Sequence, residues 1–134
     1  MCVTSEVNGL YDELSRLGEL SPVGVALARF AESLSPGGRF VRERSRWVYR
    51  PDNFVTFAVH HKKSRKLTLT LSGRPVQYKS LSEKADLGRA WQDLERDRSE
   101  YSRYDVARPE HLLPAAFFLR CAHHYKHRRT MRTI

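Results

Sequence analysis

The side chains with the most chemistry to offer are cations, and they come in groups. Between Pro36 and Ser80 stand Arg39, Arg42, Arg44, Arg46, Arg50, Lys62, Lys63, Arg65, Lys66, Arg74 and Lys79, opposed only by Glu43 and Asp52, so this segment carries +9. Arg120, Lys126, Arg128, Arg129 and Arg132 follow His111 with no acid among them. Clustered cations attract polyanions, and nucleic acid is the commonest of these, so the chemistry on offer is contact with phosphate. Of the 24 cations, 18 are arginine, an excess that GC-rich coding would also produce; base composition does not explain their clustering. Trp47, Tyr49 and Phe54 lie between the Arg42, Arg44, Arg46 group and the Lys62, Lys63, Arg65, Lys66 group. They are either platforms for stacking unpaired bases or core residues, and aromatic side chains in strands usually pack.

Other chemistries find less support. His123 and His127 are four apart, share a face of any helix and suit a divalent metal. No carboxylate accompanies them, and a third ligand must come from afar, with His60 or His61 as the candidates. Phosphate contact by a basic helix end, or plain solvation, is the preferred use of that segment. A Cys121–His124 pair is conceivable as a dyad, but apolar neighbours favour a buried, inert thiol. A metal-dependent nuclease needs two or three acids near a lysine, whereas the β region offers only Glu43 and Asp52, and His60-x-Lys62 stands where acid-x-Lys would be. The acids of 83–110 interleave with arginines as a solvated array. The chain has no Gly-rich phosphate loop and no Gly-x-Ser-x-Gly elbow. These patterns lean away from catalysis, and neither a cofactor nor a resident metal is expected.

The elements that must position these groups can be read from spacing. A chain of 134 residues, 40% hydrophobic, is long enough for one domain with a real core. Two cysteines are too few for a disulfide framework, residues 1–20 lack signal-peptide character, and the apolar run from Leu112 to Leu119 is too short for a bilayer, so a cytoplasmic protein is expected.

Thr4 or Ser5 can cap a first helix with Val7, Leu10, Tyr11, Leu14 and Leu17 on one face, stopped by Gly18. Ser21-Pro22 restarts a second, which Ser35-Pro36-Gly37-Gly38 ends. Phe40 to Arg50 reads as one alternating strand, so Arg42, Arg44 and Arg46 would project from one side and join the basic tip in a continuous cationic surface. Phe54 to His61 and Lys66 to Ser72 read as strands joined by a polar hairpin tip, with Leu67, Leu69 and Leu71 on one face and Thr68 and Thr70 on the other. Val76 and Tyr78 would extend the sheet. Leu87, Ala90, Trp91 and Leu94 suggest a short helix, and Tyr101 to Ala107 a last strand. A well-buried closing helix spans about Pro109 to His127; Pro114 either kinks it or marks its true start. The last half-dozen residues should fray. The expected fold is α+β, with an N-terminal helical hairpin and a C-terminal helix on one face of a mainly antiparallel sheet of four to five strands.

The order of elements and two stretches, Phe54–Leu71 with its basic hairpin and Tyr101–Tyr125 with its strand-then-helix close, resemble small bacterial α+β domains found alone or fused to restriction-type and "predicted transport" proteins. The final strand and helix are similar, more faintly, to the MmcQ/YjbR-like proteins. The stretches cover about a third of the chain, and the His- and Arg-rich tail departs from both patterns. The resemblance implies an α+β module associated with nucleic acid, and carries over no catalytic residue. The functional expectation is a non-enzymatic nucleic-acid-binding domain, DNA or RNA, using Arg42, Arg44, Arg46, Lys62, Lys63, Arg65 and Lys66, with Lys126, Arg128 and Arg129 as a second contact. The alternatives are a module that binds an acidic protein and, third, a metal-dependent hydrolase.

Overall fold

The computed structural model describes residues 9–84, 90–97 and 100–132. The fold is α+β: six strands form one antiparallel sheet in the order β1-β2-β3-β4-β6-β5, with helices packed on it. The strands are β1 (Arg39–Glu43), β2 (Arg46–Arg50), β3 (Val55–His60), β4 (Lys66–Ser72), β5 (Glu95–Asp97) and β6 (Tyr101–Val106). The helices are α1 (residues 9–14), α2 (Ser21–Leu34), α3 (Pro75–Lys84) and α4 (Leu112–Arg132). No described helix is long and apolar enough to cross a membrane.

Period-two alternation decides which side chains meet the helices. The register Phe57↔Leu69↔Tyr104 puts Leu67, Leu69 and Leu71 on the same face as Val55, Phe57, Tyr104 and Val106. These residues and Ala115, Phe118, Leu119 and Ala122 of α4 form one core. Phe118 is its hinge point, set edge-on to Tyr78 at 5.5 Å and to Tyr104 at 5.1 Å. Such contacts add to area burial only in this offset geometry. The opposite face carries Thr56, Thr68, Thr70, Arg103 and Asp105, and no described helix covers it.

The breaks at Gly18 and Gly37 are where the sequence puts them. Gly18 sits at φ 63 inside a 3-10 segment, Ser15–Leu20, that links α1 to α2. The Thr4 or Ser5 cap and Val7 lie outside the described residues, as does Leu87. Ser21 is itself helical and its hydroxyl caps nothing; Pro22 follows in the first turn. Pro114 falls in the first turn of α4, two residues after its start at Leu112, where the missing N–H has no intrahelical carbonyl to lose. The helix then continues to Arg132, past the end near His127 expected from spacing.

Two expectations fail. Residues 75–84 are helical, so Val76 and Tyr78 do not extend the sheet. Pro75 opens α3, where its fixed φ is favourable, and the Gln77 side chain accepts the Arg74 N–H at 2.6 Å. Tyr78 then points inward and donates its buried hydroxyl to the Ser72 carbonyl. Farther on, Ala90–Asp93 is a 3-10 turn leading into β5, a strand of three residues that periodicity could not register.

The second failure matters for function. Phe40 to Arg50 is a hairpin of two strands, because Glu43 pairs with Arg46 and leaves Arg44-Ser45 as the turn. Arg42 therefore pairs with Trp47 on the helix-covered face, Arg46 lies on the other face, and Arg44 is on neither. The three arginines do not share a side.

Candidate nucleic-acid interface

Register brings two turns together. Trp47 pairs with Phe57, so the Arg44-Ser45 turn leaves the sheet at the same end as the connection between His60 and Lys66. The centres of the two hairpins are two strand spacings apart, about 10 Å. Val106 pairs with Leu67, so the 107–111 loop, with Arg108, joins this end as well.

Arg44, Lys62, Lys63 and Arg65 are all exposed here, and none of them makes an ion pair among the described residues. Arg44 holds φ 62, a conformation that crowds its Cβ and that turns usually give to glycine. Arg65 lies across the N-terminal segment, with its Nη1 2.6 Å from where a Cβ on Gly18 would stand. Gly18 thus serves two requirements, its own left-handed backbone and room for the guanidinium.

The neighbouring cations are engaged. Arg42 sits 3.7 Å from Glu13 and 5.8 Å over the Trp47 ring, while Trp47 Nε1 donates to the other oxygen of Glu13 at 2.6 Å. Lys66 meets Asp105 at 3.3 Å, and the same carboxylate accepts from Thr68 at 2.8 Å. Arg108 has Glu110 only at 3.8 Å, both exposed, an arrangement worth little. Arg46 makes no ion pair either and lines a shallow trough of about 160 Å³ on the uncovered face with Arg50, Thr56, Thr70 and Tyr101.

The aromatic platforms are absent from this surface. Trp47 is 2% exposed, and Tyr49 and Phe54 are 0% exposed. Tyr49 stacks edge-on between Phe40 and Phe54 and donates to the Ser35 carbonyl at 2.6 Å. Gly38 must be glycine for this to happen, since a Cβ there would lie 2.5 Å from the Tyr49 ring. All three residues pack the core.

The C-terminal candidates occupy the other end. Helix α4 begins beside Tyr104 and runs back until Tyr125 donates to the Gln77 carbonyl at 2.7 Å, so Lys126, Arg128 and Arg129 fall in its last turns, away from the hairpin tip. The sheet does not join the two basic blocks into one surface.

His123 packs against Phe54 at 5.1 Å and stacks on His127 at 5.5 Å with the rings 18° from parallel. Burial, then His127, pulls its pKa below 6.5, with Asp52 opposing and His124 adding slightly. His60 is at the far end of β3 from Phe54, about 20 Å away at 3.3 Å per residue, so neither it nor His61 can complete a metal site with this pair. Burial raises the Cys121 thiol to about 11, which leaves it protonated and unreactive at neutral pH.

The structure also gathers carboxylates that the sequence scatters. Asp93, Glu95 and Asp105 line a cleft of about 250 Å³ with Arg103, Arg108 and His111. Glu95 is held by Arg103 and Asp105 by Lys66, and His111 Nδ1 accepts the Ala107 and Arg108 amides at 3.0 and 3.2 Å. No group of three metal-ligating side chains occurs among the described residues. The pairing of β5 with β6 assembles this cleft, and no local motif announces it.

No family model matches the chain, and no curated protein or solved structure matches it either.

Proposed function

We propose that this protein is a non-enzymatic nucleic-acid-binding domain that grips the phosphate backbone with the turns at one end of its sheet. The supporting observation is the convergence of Arg44, Lys62, Lys63 and Arg65, exposed and without ion pairs, on two turns about 10 Å apart. Unpaired cations on short turns approach a phosphate without first breaking an internal contact, and each one placed there releases a counterion. Arg46 flanks the group as a fifth contact. Lys66 and Arg42 border it but are held by Asp105 and by Glu13, and they orient the turns rather than reach the ligand. Recognition of this kind reads charge and backbone spacing, not base sequence.

The test is binding of random-sequence duplex and single-stranded DNA and RNA at low salt, with polyglutamate as competitor. Micromolar to hundred-micromolar affinity that varies little with sequence is expected, in the range of non-specific binding. Polyglutamate displacing nucleic acid at lower charge concentration than nucleic acid itself would instead identify an acidic protein as the partner.

A further inference from the structure

The uncovered face of the sheet leads away from the basic turns, and its unmatched charge is positive. By alternation Arg39 and Arg46 stand on it, and neither makes an ion pair among the described residues. Its described carboxylates, Glu43, Glu95 and Asp105, are each held by a cation. Arg39 pairs with Arg50, three residues from Trp47, and His60 is three residues from Phe57, the partner of Trp47. Arg39 therefore lies about 20 Å from His60 along the strands. Cations thus run from the tip past Arg46 to Arg39, over the length of about six base pairs at 3.4 Å each. Between them the 160 Å³ trough adds the Asn53 amide and the Thr70 hydroxyl, both able to donate to a phosphate oxygen. The same surface offers little to an unpaired base. Tyr101 alone of the described Phe, Tyr and Trp side chains lies on it, half-buried against the trough, and no described Phe, Tyr or Trp of the molecule is exposed.

We infer that the ligand is a duplex and that it lies along this uncovered face, from the Arg44, Lys62, Lys63 and Arg65 turns to Arg39. The inference rests on the nucleic-acid reading of the turns. A duplex keeps its bases stacked on one another and presents phosphate to the cations. A single strand bound here would leave its bases without the aromatic platforms that sequence-tolerant single-strand binding uses. Charge density acts in the same direction. Five contacts give salt slopes of about −4.5 on a duplex and about −3.5 on a single strand. With equal affinity at 1 M salt, that difference favours the duplex roughly ten- to twentyfold at 50 mM.

The experiment titrates the full chain, by fluorescence anisotropy at 50 mM salt, with a 20-base-pair DNA duplex and with each of its strands, chosen free of self-complementarity. The duplex should bind at least tenfold more tightly than either strand, and the gap should narrow as salt rises. Arg39→Gln should weaken duplex binding several-fold despite its distance from the tip. Arg120→Gln removes the same charge from an exposed position on α4, behind the sheet, and should change duplex binding less than twofold. Single strands bound as tightly as the duplex would overturn the inference while leaving the nucleic-acid reading intact. Equal losses from Arg39→Gln and Arg120→Gln would also overturn it, since the duplex would then sit on the turns alone. Failure of all three nucleic acids to bind at low salt would remove the reading and the inference together.

Discussion

The helix-covered face of the sheet and the turns at its end use the same residue type in opposite ways. Arg42, on the covered face, is tied to Glu13 and lies over Trp47; Arg44, two residues later, stands in the turn without an ion pair and in a backbone conformation that suits glycine better. A side chain on the face is fixed by register and spent on packing. A side chain in the turn contributes nothing to the core and stays available. The difference teaches that stability and binding reside in separable parts of this molecule, and substitutions should split them.

The largest split is expected in the core. Phe118→Ala and Leu69→Ala remove fully buried side chains and should each lower the unfolding free energy by about 2–5 kcal/mol. Urea midpoints check this, and a midpoint near that of the native protein would show that the α4-on-sheet packing is not what holds the fold together. The mirror experiment is Lys62→Ser, Lys63→Ser and Arg65→Ser combined, which should leave stability within about 1 kcal/mol yet weaken duplex binding more than tenfold and flatten its salt slope by roughly 3. Loss of the fold, with binding lost only as its consequence, would mean that the tip is structural and the two regions are not separable.

Arg44→Gly sharpens the comparison at one position. Glycine relieves the crowded Cβ at φ 62, so stability should hold or rise by up to about 1 kcal/mol while affinity falls a few-fold. Calorimetry and a binding titration on the same sample would show opposite signs; a clear drop in stability would indicate that the guanidinium supports the turn.

The smallest expected effect is on pH dependence. Half-buried His123 holds its proton less firmly than an unfolded histidine, whose pKa is about 6.5. Below that pH the unfolded chain binds more protons than the native one, so this contribution to stability is full above 6.5 and is lost as the pH falls. The neighbouring His127 and His124 reinforce the loss, and Asp52 opposes it. The melting temperature of His123→Gln should fall less between pH 7 and pH 5 than that of the native protein, and equal slopes would assign the acid sensitivity elsewhere.

Much of the scaffold was legible because it follows local rules. Leu67, Leu69 and Leu71 alternate, Gly18 and Gly37 break helices, and the His61-to-Lys66 stretch has the length and polarity of a hairpin tip. The β1–β2 turn was not legible. Arg44-Ser45 contains no glycine, asparagine or proline, and the alternation of charges across it imitates an uninterrupted strand. Reading through that turn put three arginines on one face and hid the convergence of Arg44 with the basic tip, which depends on the pairing of β2 with β3. Helix α3 has a signal in Pro75, but Val76 and Tyr78 beside it are residue types that favour strands. The carboxylates of the 93–105 cleft meet through the β5–β6 hairpin, whose first strand has three residues, too few for its alternation to be read from spacing.

The central claim, that Arg44, Arg46, Lys62, Lys63 and Arg65 meet phosphates, is tested most directly by the salt dependence of duplex binding. Five phosphate contacts predict that log affinity falls against log salt with a slope of roughly −4 to −5. A slope near zero, or no binding at low salt, would contradict it.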